Sequence, residues 1–245
     1  MVETSLQTIT RSLRREGYTM KTVCCQFFFP YSTLTFFQLT RPALERNEHD
    51  RREFKALINR YFRPEQLVFA DESHFNRLTL RRPYAWSKRG ERATQYEFSF
   101  RGSKYSILPA ISLDGIVHLE VLDKAISGDD FRRFVQGLLP RMNEWPLPKS
   151  VLIVDNASIH KVAGIREMVE ERGARLVYLP AYSPDFNPIE LAFSKIKGWL
   201  RANRERLDIE LNSGDATVYS SFWEAVHSVT AEHSRGWYKH CGYVG

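Results

Sequence analysis

A mixed α/β fold is what this sequence predicts, and three observations predict it. Two short, wholly apolar runs, Leu67 to Ala70 and Val151 to Val154, each stop at an aspartate, as buried strands with a functional end do. Asp114-Gly115 separates two β-prone stretches and is a strong hairpin signal. Helical stretches alternate with these runs, and helices interleaved with strands pack on the faces of a sheet.

In chain order, residues 5–17 read as a short helix. Ser5 can cap it, Leu6, Ile9 and Leu13 share a face, and Gly17 can end it. Residues 47–61 read as a charged helix with Phe54, Leu57, Ile58 and Tyr61 as its apolar stripe, closed by Pro64. A strand over 67–71, hairpin strands over 105–113 and 116–122, a helix over 129–142 capped near Ser127 and a strand over 151–155 follow. A helix over 163–172, a strand over 175–179 and a helix over 188–201, with Pro188 in its first turn, complete the expectation. No internal repeat is visible.

The 245 residues suit one sizeable domain, large enough to hold a core without disulfides. With 43% hydrophobic and 26% charged residues, the chain is not collagenous, low-complexity or wholly disordered. Three cysteines, Cys24, Cys25 and Cys241, make no secreted disulfide framework, and a reducing compartment fits them better. No apolar run reaches the ~20 residues that cross a bilayer. The nearest, 23–39, lies too far from Met1 for a signal peptide and lacks a small-residue cleavage site. Residues 23–38 are anomalous: they carry no charge and follow neither a helical nor a strand period. They read as a translated, unremoved intron. Val23-Cys24 can be encoded by GTATGT, Leu34-Thr35 by CTAACN, Phe36-Phe37 by a pyrimidine run and Gln38 by CAG, and the sixteen codons keep the frame. The alternative is a hydrophobic arm packed on the domain.

Lys and Arg exceed Asp and Glu by 35 − 29 = 6, which suits a polyanionic partner. The charge is clustered. Residues 77–104 hold eight basic residues, including Arg81, Arg82, Lys88 and Arg89, against Glu91 and Glu97. A second cluster contains Lys195, Lys197 and Arg201. Either cluster alone is ordinarily a solvated face; their nearness to the acidic residues below gives them weight.

Two strands ending in Asp71 and Asp155 place both carboxylates where α/β folds bind ligands. If the strands are neighbours, the bare carboxylates repel unless a cation sits between them, and oxygen donors of this kind favour Mg²⁺ or Mn²⁺. Glu190, separated from Asp155 by thirty-four residues and placed at the start of a helix, is the third candidate. Each residue has a plainer reading: a strand-terminal Asp is usually a turn or cap residue, and a helix start favours Glu through its dipole. His74 and His160 stand near the aspartates and are read as hydrogen-bonded structural residues. Glu72 is read as pointing to the face opposite Asp71. His233, His240 and Cys241 lack a paired zinc motif. Asn156-Ala-Ser158 matches a glycosylation sequon and is discounted at a strand end. Tyr84 and Trp86 can stack on bases or fill a hairpin core.

The stretches FADESHF (69–75), LIVDNASIHK (152–161) and LPAYSPDFNPIELAFSKIKGWLR (179–201) resemble the three blocks of the DDE transposases of the mariner superfamily, insertion-sequence-like branch. PYAWSKRGER (83–92) and RGWYKHCGY (235–243) extend the resemblance over about residues 40–243. It implies an RNase H-like catalytic domain, a mixed sheet flanked by helices, over 67–245. It also implies that Asp71, Asp155 and Glu190 are both catalytic residues and metal ligands for two ions. The implied activity is metal-dependent cleavage and strand transfer of transposon DNA into target DNA, with insertion at TA. Arg81, Arg82, Lys88, Arg89, Lys195, Lys197 and Arg201 would contact DNA. A homodimer, no membrane partner, and a nuclear location in a eukaryotic host, or a cytoplasmic one otherwise, go with this reading.

The family carries two helix-turn-helix units ahead of the catalytic domain. Here residues 1–22 resemble only a remnant, the last helix of the second, followed by the 23–38 insert and a linker with a helix over 39–66. Sequence-specific capture of transposon ends is therefore not expected of this chain. Two other functions are weighed: an inactive or domesticated remnant that only binds DNA, and another nuclease of the RNase H fold. The acidic trio argues against the first and NPIELAFSKIK against the second.

Overall fold

The computed structural model describes residues 6–22, 45–75, 84–94, 104–213 and 217–244. Its elements begin with α1 (Leu6–Arg15), β1 (Tyr18–Thr22), α2 (Glu48–Tyr61), β2 (Leu67–Ala70), β3 (Ser73–Phe75), β4 (Tyr84–Lys88), β5 (Tyr105–Ser112) and β6 (Gly115–Leu122). There follow α3 (Gly128–Leu138), β7 (Val151–Val154), α4 (Ile165–Glu171), β8 (Arg175–Tyr178), α5 (Pro188–Ala202), α6 (Arg204–Ser213), α7 (Thr217–His227) and α8 (Ala231–His240). The described residues form two compact units, 6–22 with 84–94, and 45–75 with 104–213 and 217–244.

In the smaller unit α1 ends near Gly17, whose φ of +80° is the left-handed conformation glycine adopts without penalty. The chain then enters β1, which pairs antiparallel with β4 so that Met20 faces Trp86. The expected short helix is present, and a strand follows it. Residues 84–94 group with this N-terminal segment rather than with the remainder of 67–245. Residues 23–38 lie outside the described residues.

In the larger unit successive residues of β2 and β7 face opposite sides of a sheet covered on both sides. Leu67, Phe69, Val151 and Ile153 face a core shared with α2, α5, α7 and α8; Val68, Ala70, Leu152 and Val154 face one shared with α3 and α4. All eight are buried, which explains why these runs lack polar alternation. Burying each such Val, Leu, Ile or Phe contributes roughly 1.5 to 3 kcal/mol. β2 runs parallel to β7 and β7 parallel to β8, while β5 is antiparallel to β2, β3 and β6. The predicted hairpin is present with its turn one residue earlier: Leu113 and Asp114 make the turn, Ser112 pairs with Gly115, and Gly115 opens β6 at φ +110°.

Strand β3 was not foreseen, and its register explains a feature of the site. Ala70 faces Ala110 and Ser73 faces Ile107, so β2 and β3 are one strand interrupted without a shift. The missing rungs, Asp71 and Glu72, fall opposite Pro109 and Leu108, and proline has no N–H for a ladder. Helix α2 is narrower in its apolar contact than expected: Phe54 and Ile58 are buried, whereas Leu57 and Tyr61 are exposed. Helix α3 stops at Leu138 and tightens into a 3₁₀ turn over Leu139–Arg141, short of the expected 142. Helices α6 to α8 were not assigned from sequence. Tyr238 of α8 is fully buried and donates its hydroxyl to the carbonyl of Leu67, at 3.0 Å, fastening α8 to the sheet.

Candidate active site

Because β2 and β7 are adjacent and parallel, Asp71 and Asp155 leave the sheet side by side at its C-terminal edge. One carboxylate oxygen of each, with a ring nitrogen of His160, lies within a 4.8 Å cluster. Glu190, in the first turn of α5, lines the same cleft, of about 440 Å³, together with Asn156, Tyr182 and Asn187. The three predicted acids thus meet at one opening, although Glu190 stands outside the tight cluster.

Each carboxylate is held differently. Asp71 is 8% exposed and accepts from the backbone N–H of Glu72 at 2.8 Å and from Asn187 Nδ2 at 2.9 Å. Burial, then the charges of Glu72 and Asp155, push its pKa up to about 8. Burial acts the same way on Asp155, but the hydrogen bond from His160 and the N–H of Ala157 outweigh it and leave Asp155 below the usual carboxylate range. Burial raises Glu190 too, with the charge of Lys197 opposing and those of Asp155 and Glu72 adding. These couplings tie the acids into one electrostatic unit.

His160 is fully buried on the 3₁₀ turn Ser158–Lys161 and spans the two strand ends. Its Nδ1 lies 2.6 Å from Asp155 Oδ1 and its Nε2 2.9 Å from Glu72 Oε2. Burial disfavours its charge, yet the bonds to Asp155 and Glu72 prevail and raise it to about 10, so it is an imidazolium at neutral pH. Both ring nitrogens are engaged, so the oxygens are the better cation donors. The expectation of a hydrogen-bonded His160 agrees with this geometry. The expectation for Glu72 does not: it sits in the break between β2 and β3, where strand alternation does not apply, and its side chain turns to His160. His74 is exposed, and its Nδ1 lies 2.7 Å from Ser106 Oγ, away from the cleft lining.

The loop before α5 sets the third acid. Asn187 caps α5, its Oδ1 accepting from the N–H of Ile189, while its amide reaches Asp71. Arg51 of α2, itself buried, grips Asp185 through two hydrogen bonds of 2.9 and 2.6 Å and lies 3.9 Å over the Phe186 ring. Three residues before Asp185, Tyr182 adopts φ +53°, a conformation that costs a non-glycine residue about 1 to 3 kcal/mol.

A family model described as DDE superfamily endonuclease matches residues 66–211, more than half of the chain. The chain belongs to the DDE superfamily endonucleases. No curated protein matches it at a significant level. The Mos1 transposase paired-end complex with left transposon end is similar in structure: 18% identity, TM-score 0.53, covering 96% of this chain and 69% of that one. The Mos1 mariner paired end complex with Mn gives 16% identity, TM-score 0.53, and coverage of 97% and 70%. The Mos1 strand transfer complex gives 17%, 0.51, 97% and 69%. The shared feature at these identities is the fold, an RNase H-like mixed sheet flanked by helices.

In this DDE endonuclease the predicted basic residues that are described belong to both units. Lys195, Lys197 and Arg201 are half-buried on α5, and Lys197 acts on Glu190. Lys88 and Arg89 are exposed in the smaller unit, and Arg81 and Arg82 lie outside the described residues. Sequence reasoning missed Asn187, Tyr182 and Lys161, the last of which is exposed and lowers Asp155 through its charge. Their signal was position: all three fall within the second and third blocks, where attention rested on the acids.

Proposed function

We propose that this DDE endonuclease is the catalytic part of a DNA transposase, cleaving transposon DNA and joining the freed 3′-OH to target DNA. The observation that carries the reading is the meeting of Asp71, Asp155 and Glu190, from three separate elements, at one cleft. Donor chemistry fits a divalent metal. Hard oxygens crowd there, and Asp71 is pushed up to about 8 by burial and like charges that a cation would offset. When bound, Mg²⁺ or Mn²⁺, in the expected number of two, would neutralise phosphate charge and lower the pKa of water.

The chain's own residues prepare that site. Asn187 orients Asp71, His160 fixes Asp155, and α5 delivers Glu190. Lys161, Lys195, Lys197 and Arg201 hold backbone phosphates, a source of affinity without sequence information. The solved Mos1 complexes with transposon ends, Mg and Mn support the same substrate and metals here. Joining two ends calls for a homodimer, and in a eukaryotic host the substrate lies in the nucleus.

The test is Mn²⁺-dependent cleavage by the full chain on a transposon-end duplex, a Holliday junction and an RNA–DNA hybrid. Cleavage of the end duplex, abolished by Asp71→Asn, Asp155→Asn and Glu190→Gln with DNA binding retained, is expected. Unaltered cleavage in all three variants, or preference for the junction or hybrid, ends the proposal.

A further inference from the structure

Tyr182 stands out against the rest of the cleft. It takes φ +53°, in the left-handed region that glycine and asparagine enter at small cost and a bulky side chain rarely does. If the turn alone mattered, glycine would serve better. Packing does not account for the tyrosine either, because the residue is 56% exposed. Among the described residues no hydrogen bond or ring contact engages its phenol. Its neighbours are fixed: Ser183 is buried and donates its hydroxyl to the Ala181 carbonyl at 3.2 Å, and Asp185 is clamped by Arg51. The chain therefore holds an uncovered aromatic ring on a strained but anchored backbone, at the rim of the cleft that contains Asp71, Asp155 and Glu190.

We infer that Tyr182 is a stacking platform for a base of the DNA strand that enters this cleft, next to the phosphate to be cut. The inference rests on the DNA-cleaving reading above. A ring in this setting suits a base because every base has a π-face, whereas the acids that line the cleft address the backbone through the cations they hold. Holding one base in place fixes the position of the adjoining phosphate, and accurate placement of a reacting group is a large part of catalysis. Stacking of this kind tolerates any sequence, which fits a chain that reads phosphates and not base edges.

Fluorescence anisotropy of the full chain tests it, with a labelled mixed-sequence duplex ending in a short single strand, in Ca²⁺. A 2-aminopurine in that single strand reports stacking directly. Tyr182→Phe should bind within about two-fold of the parent and still quench the 2-aminopurine, since the ring remains. Tyr182→Ala and Tyr182→Gly should weaken binding about ten-fold or more and lose the quenching. Tyr182→Gly should melt no lower than the parent, because glycine accepts the positive φ. Parent-like affinity and quenching in Tyr182→Ala overturns the inference alone, as does equal loss in Tyr182→Phe. A parent chain that neither binds this DNA nor cleaves a duplex in Mn²⁺ overturns the nuclease reading together with it.

Discussion

Asn187 joins Asp71 to the helix that carries Glu190: one end of its amide donates to Asp71 Oδ2 at 2.9 Å, and the other caps α5. A single 3%-exposed side chain thus couples two acids that lie 119 positions apart in the chain (190 − 71).

Two substitutions separate the roles of that amide. Asn187→Asp keeps a good cap but sets a second buried carboxylate against Asp71, so its loss of stability should grow as pH rises toward 8, and Mn²⁺-dependent cleavage should drop at least ten-fold. Asn187→Ala loses both and should cost about 1 to 2 kcal/mol in urea melts as well. Equal cleavage by the parent and the Asn187→Asp variant would refute the coupling.

Stability should respond to Asp71 in the direction opposite to activity. Its pKa of about 8 lies above the unfolded carboxylate value, so the folded chain binds the extra proton between about pH 4 and 8 and loses stability as pH rises through that window. Asp71→Asn removes this penalty. The variant should melt higher than the parent at pH 8 without divalent metal, should gain less on adding Mn²⁺, and should not cleave DNA.

For His160 the pairing stabilises the charged form instead. Its pKa of about 10 is above the unfolded histidine value, so its contribution is complete below about pH 6.5 and disappears as pH rises to 10. His160→Ala should flatten that part of the stability profile and leave Glu72 without its partner, at a cost of about 3 to 5 kcal/mol near neutral pH. Glu72→Gln, close in shape, should show a smaller loss and only part of the flattening, because the bond from His160 to Asp155 remains. Thermal melts from pH 6 to 10 check both.

Arg51 is predicted to act at a distance by holding the loop ahead of α5. Arg51→Lys keeps the charge but gives up the two-pronged grip on Asp185 and the planar contact with Phe186. About 2 kcal/mol should be lost, with cleavage falling more than DNA affinity as Asn187 loosens. Comparing single-turnover rates with binding constants decides it.

Local chemistry in the sequence already contained much of this protein. Apolar runs without polar alternation identified β2 and β7, Asp-Gly the hairpin, Asn187-Pro188 the start of α5, and three blocks the acids. Each of these rests on neighbours within a few residues, so it can be read along a line. Tertiary structure alone decided that β2 and β7 are adjacent and parallel, that the strand breaks at Asp71 opposite Pro109, and that Glu72 meets His160 from 88 residues away. It also decided that Asn187 reaches Asp71 and that Tyr182 stands uncovered at the cleft rim. Such contacts depend on how sheet and helices stack, and the stacking then sets the charges: the same aspartate type ends up raised at 71, where burial comes first and neighbouring acids add to it, and lowered at 155, where the bonds from His160 and the Ala157 N–H outweigh burial.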